Sequence, residues 1–253
     1  MKSIDLNADV AEGTGAASVA ADAALLALVS SANICCGAHA GDVATILAVI
    51  EQAIALNCAL GAHPSFPDRE NFGRRELDVP PAIIQEFVTE QVSELQGLVE
   101  QLGGTLRHVK PHGALYNLAA RSEPVAAAIV QAIKTVDSRL IVVGLAGGRL
   151  IDAAFAAGLP AAREAFADRA YQADGALAPR SLPGAVHHEP ERVVAQVRQI
   201  LAGSVTTLGG SVIRLQAETI CLHGDTPGAL EFARRIHTML SQSGYTISAA
   251  ICS

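Results

Sequence analysis

The stretch His108-Val-Lys-Pro-His-Gly-Ala-Leu-Tyr116 places an ammonium and a phenol beside two imidazoles within nine residues. Leu106, His108 and Lys110 alternate with Arg107 and Val109, so on a β-strand His108 and Lys110 share one face. Pro111 has no amide hydrogen and stops the ladder, and Gly113 lets backbone come close to a ligand. The segment reads as a strand that delivers polar side chains at its carboxyl end and then turns into a helix.

The same arrangement recurs along the chain. Residues 3–6 form a short strand that ends in the polar run Asn7-Ala-Asp9-Val-Ala-Glu12. Residues 31–34 lead into Cys35-Cys-Gly-Ala-His39-Ala-Gly-Asp42, with Asp42 placed to cap a helix over 43–56. Residues 58–62 are continuously apolar, like a strand buried on both faces, and run into His63 and Asp68. Strands over 140–145, 161–166 and 219–222 end at Gly147-Gly148, at Asp168-Arg169 and at His223-Gly-Asp225. Helical patterns cover 20–28, 81–102, 123–136, 150–157, 190–202 and 227–240, and 245–247 suits a last edge strand. These make seven β-then-α units with no composition break, so residues 1–253 read as one domain.

Strict alternation of β and α predicts a parallel sheet, either closed or open. An open sheet concentrates its chemistry at one switch point, whereas a barrel collects it from the carboxyl ends of many strands. Here nearly every strand exit carries His, Asp, Arg or Lys. The expected fold is an α/β barrel.

Half of the 253 residues are hydrophobic, 17% are charged, and Trp is absent. Mean hydropathy is +0.33. Much of this apolar supply is alanine, which suits closely packed helices. A formal net charge of −7 argues against a nucleic-acid partner, which needs a basic stripe. Cys35 and Cys36 are adjacent while Cys58, Cys221 and Cys252 stand alone, a scattered set that reads as reduced thiols. The first residues hold no apolar signal region, and no run approaches the roughly 18 residues of a membrane span. The expectation is a cytoplasmic protein without a membrane partner.

The strand exits supply the candidate site. Asp9, Glu12 and Asp168 are candidate general bases. Lys110 is the fixed positive charge of the mouth, able to polarise a carbonyl or hold a phosphoryl group. Asp9, His39 and His63 offer one oxygen and two imidazole ligands to a divalent metal. The competing reading is a polar network of the same histidines around a substrate. Arg74, Arg169 and Arg180 could clamp a carboxylate. His112 and Tyr116, beyond Pro111, are expected over the mouth as binding groups, with His108 facing inward beside Lys110 and with His223 and Asp225 at the last exit. Gly147-Gly148 could form an anion-binding turn for a nucleotide, although no GxxxxGK[ST] loop is present. Cys35 and Cys221 are expected to pack.

Taken in order, these motifs resemble the LamB/YcsF lactam-utilization family. The likeness is carried by 5–12, 31–42, 61–68 with Phe72-Gly-Arg-Arg75, 108–116, 166–171 with 179–184, and Cys221-Leu-His-Gly-Asp-Thr-Pro-Gly228. The resemblance implies a distorted seven-stranded parallel β/α barrel of the glycoside hydrolase and deacetylase type. It also implies hydrolysis of the lactam of 5-oxo-L-proline to L-glutamate with ATP as co-substrate, carried out by the A subunit of a 5-oxoprolinase with B and C partner subunits. The alternatives are a metal-dependent amidase or deacetylase and a non-catalytic subunit that binds substrate. The sequence departs from the family pattern at Ala8, commonly Cys, at Ala11, commonly Gly, and at Ala38, often aromatic. The first departure bears on whether a thiol is needed for chemistry, and the last implies a roomier mouth near His39.

Overall fold

The computed structural model describes residues 2–223 and 228–250. Seven parallel strands close a barrel: β1 (Lys2–Val10), β2 (Ser31–Cys35), β3 (Ala59–His63), β4 (Leu106–Val109), β5 (Ile141–Leu145) and β6 (Ala161–Phe166) follow chain order. The circle is completed by a later strand, reached after a short antiparallel hairpin of β7 (Ser204–Thr206) and β8 (Val212–Arg214). That closing strand, β9 (Thr219–His223), pairs with both β6 and β1. β10 (Tyr245–Ile247) adds to the first residues of β1.

The strands are separated by α1 (Gly15–Leu26), α2 (Val43–Ala55), α3 (Pro81–Gln101), α4 (Gly113–Arg121), α5 (Glu123–Val136), α6 (Arg149–Ala156) and α7 (Pro190–Leu201), with α8 (Ala229–Gln242) before β10. Asp42 caps α2, its side chain accepting from Thr45 N at 2.8 Å. The outward row of the strands, including Leu6, Ala8, Ile34, Ala62, Val109 and Leu222, is buried together with Val49, Ile84, Val92, Ile129 and Ile236 of the helices. Each fully buried aliphatic side chain contributes on the order of 1.5–3 kcal/mol. Ala8 belongs to this outward row, so the missing thiol there leaves the barrel interior untouched.

Three sequence expectations change. β1 reaches Val10, so Asn7 and Asp9 lie on the strand itself rather than in a loop. The period of two in Asp5, Asn7, Asp9 against Leu6, Ala8, Val10 places the polar set inside the barrel. The β7–β8 hairpin has strands of three residues, too short for a periodic signal. The chain beyond β4 also stays alongside β3, with Lys110 N donating to Ala62 O at 2.9 Å and His112 N to Pro64 O at 2.8 Å. His112 is thereby carried into the barrel mouth rather than over it.

Candidate active site

A cavity of about 900 Å³ opens at the carboxyl ends of the strands. Asp9, His63, Lys110 and His112 form its floor, while Tyr116, Phe166 and Arg169 stand in its wall with Arg74 and Arg180 beside them. Glu12 and His39 lie beside His112, where the His39 and His112 rings stack with centroids 3.9 Å apart. Ala11, where the family commonly has glycine, turns the chain after β1 with a left-handed backbone (φ 62°), and its N–H is held by Asp22 Oδ2 at 3.0 Å. Arg69 fixes the His39 loop by donating to the carbonyls of Gly37, Ala40 and Gly41.

Lys110 is fully engaged. Its ammonium lies 2.8 Å from Asp9 Oδ1, 2.9 Å from Glu164 Oε1, 3.0 Å from Cys221 Sγ and 3.3 Å from Asn7 Oδ1. Three protons thus face four acceptors, and none is left over for a substrate. Burial opposes its charge, but Asp9, Cys221 and Glu164 hold the proton and keep its pKa well above the ordinary lysine value. Lys110 is a fixed positive charge in the floor, as its sequence position suggests, with its protons directed at protein acceptors.

The imidazoles are oriented by backbone carbonyls. His63 Nδ1 donates to Lys110 O at 2.7 Å, and His112 Nε2 donates to Phe72 O at 2.9 Å. In the neutral rings the other nitrogens are therefore bare. Those two nitrogens lie 3.0 Å apart, with Asp9 Oδ2 3.4 Å from His63 Nε2 and Glu12 Oε1 3.1 Å from His112 Nδ1. A proton or a cation is needed to join them.

Burial lowers the pKa of His39 to about 4, against the pull of Glu12. Burial likewise lowers that of His112. For His63 burial is outweighed by the Asp9 carboxylate, and its pKa rises. Burial would raise Glu12, but its contacts with His112 and His39 hold its pKa below the usual carboxylate range. Among the described residues, the three acidic side chains Asp9, Glu12 and Glu164 share this floor with one ammonium, that of Lys110.

The wall has the opposite sign. Arg169 is buried and donates from Nη2 to Ala178 O at 2.7 Å, while its Nε has no partner among the described residues. Burial and the neighbouring Arg180 bring its pKa down to about 10. Arg74 stacks on the Phe72 ring at 4.8 Å. Tyr116 and Glu164 sit between wall and floor, and among the described residues the buried Tyr116 hydroxyl and Glu164 Oε2 have no hydrogen-bond partner at ordinary distance.

The structure gathers Asp9, Glu12, His39, His63, Lys110, His112 and Tyr116 from the sequence candidates, with the three arginines at the wall. The metal grouping changes: Asp9 and His63 join His112, whereas His39 groups with Glu12 and His112. His108 faces inward but lies one layer down, donating to Asn33 Oδ1 at 2.8 Å, away from the mouth cavity. Asp168 is fully buried and does not line the cavity. Gly147 and Gly148 border it, where Gly148 N is already bonded to Leu145 O at 2.8 Å. The His223 side chain and Asp225 lie outside the described residues. Sequence reasoning missed Glu164, Asn7 and Asn33; the one cue for Glu164 was a charged pair, Arg163-Glu164, in a strand otherwise of Ala and Phe.

A parallel barrel with a buried acid–imidazole floor under an arginine wall is an architecture suited to small polar substrates. The LamB/YcsF family model matches residues 4–251, and the chain belongs to that family. It is 50% identical over 248 residues to the A subunit of 5-oxoprolinase from Bordetella parapertussis, covering 98% of each chain. It superposes on the lactam utilization protein of Thermus thermophilus with a TM-score of 0.90 and 42% identity, covering 98% of this chain and 100% of that one. A family 4 carbohydrate esterase from Streptomyces lividans shares the fold alone, with a TM-score of 0.52 and 10% identity over 97% of this chain and 91% of that one.

Proposed function

We propose that this protein is the A subunit of a cytoplasmic, ATP-dependent 5-oxoprolinase and hydrolyses the lactam of 5-oxo-L-proline to L-glutamate together with B and C partner subunits. The observation that supports this reading is one cavity that joins a proton-accepting floor to a buried guanidinium with an unused donor, in a chain so similar to subunits of that name. A five-membered lactam is an unreactive amide, and ATP cleavage would activate its carbonyl oxygen. The substrate carboxylate would meet Arg169, assisted by Arg180 and Arg74. Its ring would lie against Tyr116 and Phe166 with the carbonyl towards the floor. The carboxylate–imidazole floor, with Glu12 at its edge, would then receive the proton released by the attacking water. Gly147 and Gly148, on the same cavity border, are the proposed contact for a nucleotide phosphate.

The test is release of phosphate and glutamate that depends on 5-oxoproline, by the full chain assembled with its partner subunits. Arg169→Ala is expected to raise KM for 5-oxoproline by roughly 10–100-fold, the worth of a charge-assisted hydrogen bond, with a smaller change in kcat. No 5-oxoproline-dependent release by the assembled parent protein overturns the reading. An unchanged KM in Arg169→Ala removes the arginine from the carboxylate site.

A further inference from the structure

We infer that Asp9, His63 and His112 form a binding site for one divalent transition-metal ion in the floor of the barrel mouth. Three independent features of the floor lead there.

The first is direction. His63 and His112 each spend one ring nitrogen on a backbone carbonyl, Lys110 O and Phe72 O, and turn the other towards its counterpart. Metal-bound histidines are held in this way, with the outer N–H anchored and the inner lone pair free. Asp9 is oriented likewise: Oδ1 accepts from Lys110 Nζ and Asn33 Nδ2, both at 2.8 Å, and Oδ2 is turned to His63.

The second is spacing. Two ligands about 2.1 Å from a shared ion, at tetrahedral or octahedral angles, lie about 3.0–3.4 Å from each other. The two ring nitrogens are separated by 3.0 Å, and His63 Nε2 is 3.4 Å from Asp9 Oδ2. A shared cation can take the place of the proton that otherwise joins such a pair.

The third is charge. Among the described residues the acids Asp9, Glu12 and Glu164 share the floor with one ammonium, Lys110, a lining that accepts a cation. Two imidazoles with one carboxylate favour zinc, cobalt, iron or manganese over calcium or magnesium, which prefer all-oxygen sites. His63, Asp9 and His112 all border the open cavity, which leaves room for exchangeable ligands. A bound ion there supplies Lewis-acid polarisation of an amide oxygen or of water. Glu12 Oε1 lies 3.1 Å from the same His112 Nδ1 and 4.0 Å from His63 Nε2, at the edge of the ligand set, and the His39 ring stacks on that of His112.

The inference does not depend on the identity of the substrate, and its test uses none. The full-length protein, stripped with chelator, is titrated with Co²⁺ and followed by visible absorption and elemental analysis. One equivalent is expected, with the ligand-field bands of a nitrogen–oxygen site and no thiolate charge-transfer band. His63→Gln and Asp9→Asn are each expected to weaken binding at least about 100-fold, while His39→Gln weakens it less than about 10-fold. Circular dichroism and thermal melting of the stripped variants control for folding. Absence of cobalt binding by the parent protein overturns the inference. So does binding that survives in Asp9→Asn and His63→Gln but is lost in His39→Gln, which would place the ion with Glu12, His39 and His112.

Discussion

The two halves of the barrel interior are similarly buried and similarly polar, yet they are wired in opposite ways. At the amino end, Asp5 Oδ1 accepts from Ser30 and Ser31 hydroxyls at 2.6 and 2.7 Å, and Asp5 Oδ2 accepts from Thr219 at 2.6 Å. Thr219 in turn accepts from Asn7 Nδ2 at 2.6 Å, Asn7 Oδ1 accepts from Asn33 at 2.7 Å, and Asn33 Oδ1 accepts from His108 at 2.8 Å. Each acceptor in that chain meets a donor. At the carboxyl end, imidazole nitrogens and carboxylate oxygens crowd together, and atoms of Tyr116, Glu164 and Arg169 around them have no partner among the described residues. Burial and charge therefore do not separate scaffold from site in this protein; the matching of donors to acceptors does.

The contrast is broken or sharpened most by changing Glu12. If the mouth is mismatched because it serves a ligand, Glu12→Gln should lower kcat by roughly 100-fold while KM holds, since Glu12 acts through His112 rather than on the substrate. Its unfolding free energy should stay within about 1 kcal/mol of the parent, because the amide oxygen of Gln can still accept from His39 Nε2. Steady-state kinetics and urea unfolding read the two quantities. A stability loss above about 3 kcal/mol with kcat intact would move Glu12 into the scaffold and erase the distinction.

Thr219→Val asks the converse question at the amino end. It leaves Asp5 Oδ2 and Asn7 Nδ2 without their shared hydroxyl, and each unsatisfied buried group costs about 1–3 kcal/mol. The expected result is a lower urea midpoint of that order with kcat within about threefold of the parent. A collapse of turnover at unchanged stability would show the lower network to be part of the machinery.

This wiring also explains what the sequence could and could not say. The barrel was legible because polar residues recur at strand exits, and the polar mouth was legible from Asp9, His39, His63 and Lys110. The inward row of β1 was not, because Asn7 and Asp9 resemble loop residues until the barrel gives them partners on β2, β4, β6 and β9. Which histidines group with Asp9 was equally hidden: the choice of His112 over His39 depends on how the chain beyond Pro111 follows β3. Gly61 is a third case. A Cβ there would stand 2.0 Å from His108 Nε2, so the glycine is a space reserved for a ring some 47 positions away. No local pattern announces such a reservation.

The smallest expected effect measures how far the acids of the mouth act. Asp22 anchors the left-handed Ala11 by accepting its N–H. Burial, with a further push from the Glu12 carboxylate, raises its pKa to about 6. The folded protein thus binds this proton more tightly than the unfolded chain, so the associated stability is complete below about pH 4 and is lost as pH rises to about 6. Asn cannot ionise and keeps an oxygen for Ala11 N, so Asp22→Asn should match the parent near pH 4 and exceed it at pH 7. Partial exposure limits the gain to about 1 kcal/mol. Urea midpoints across that pH range measure it. In the Glu12→Gln background the gain should shrink, because part of the repulsion has gone. An identical gain in both backgrounds would mean that burial alone sets Asp22 and that the acids of the mouth act only within their own floor.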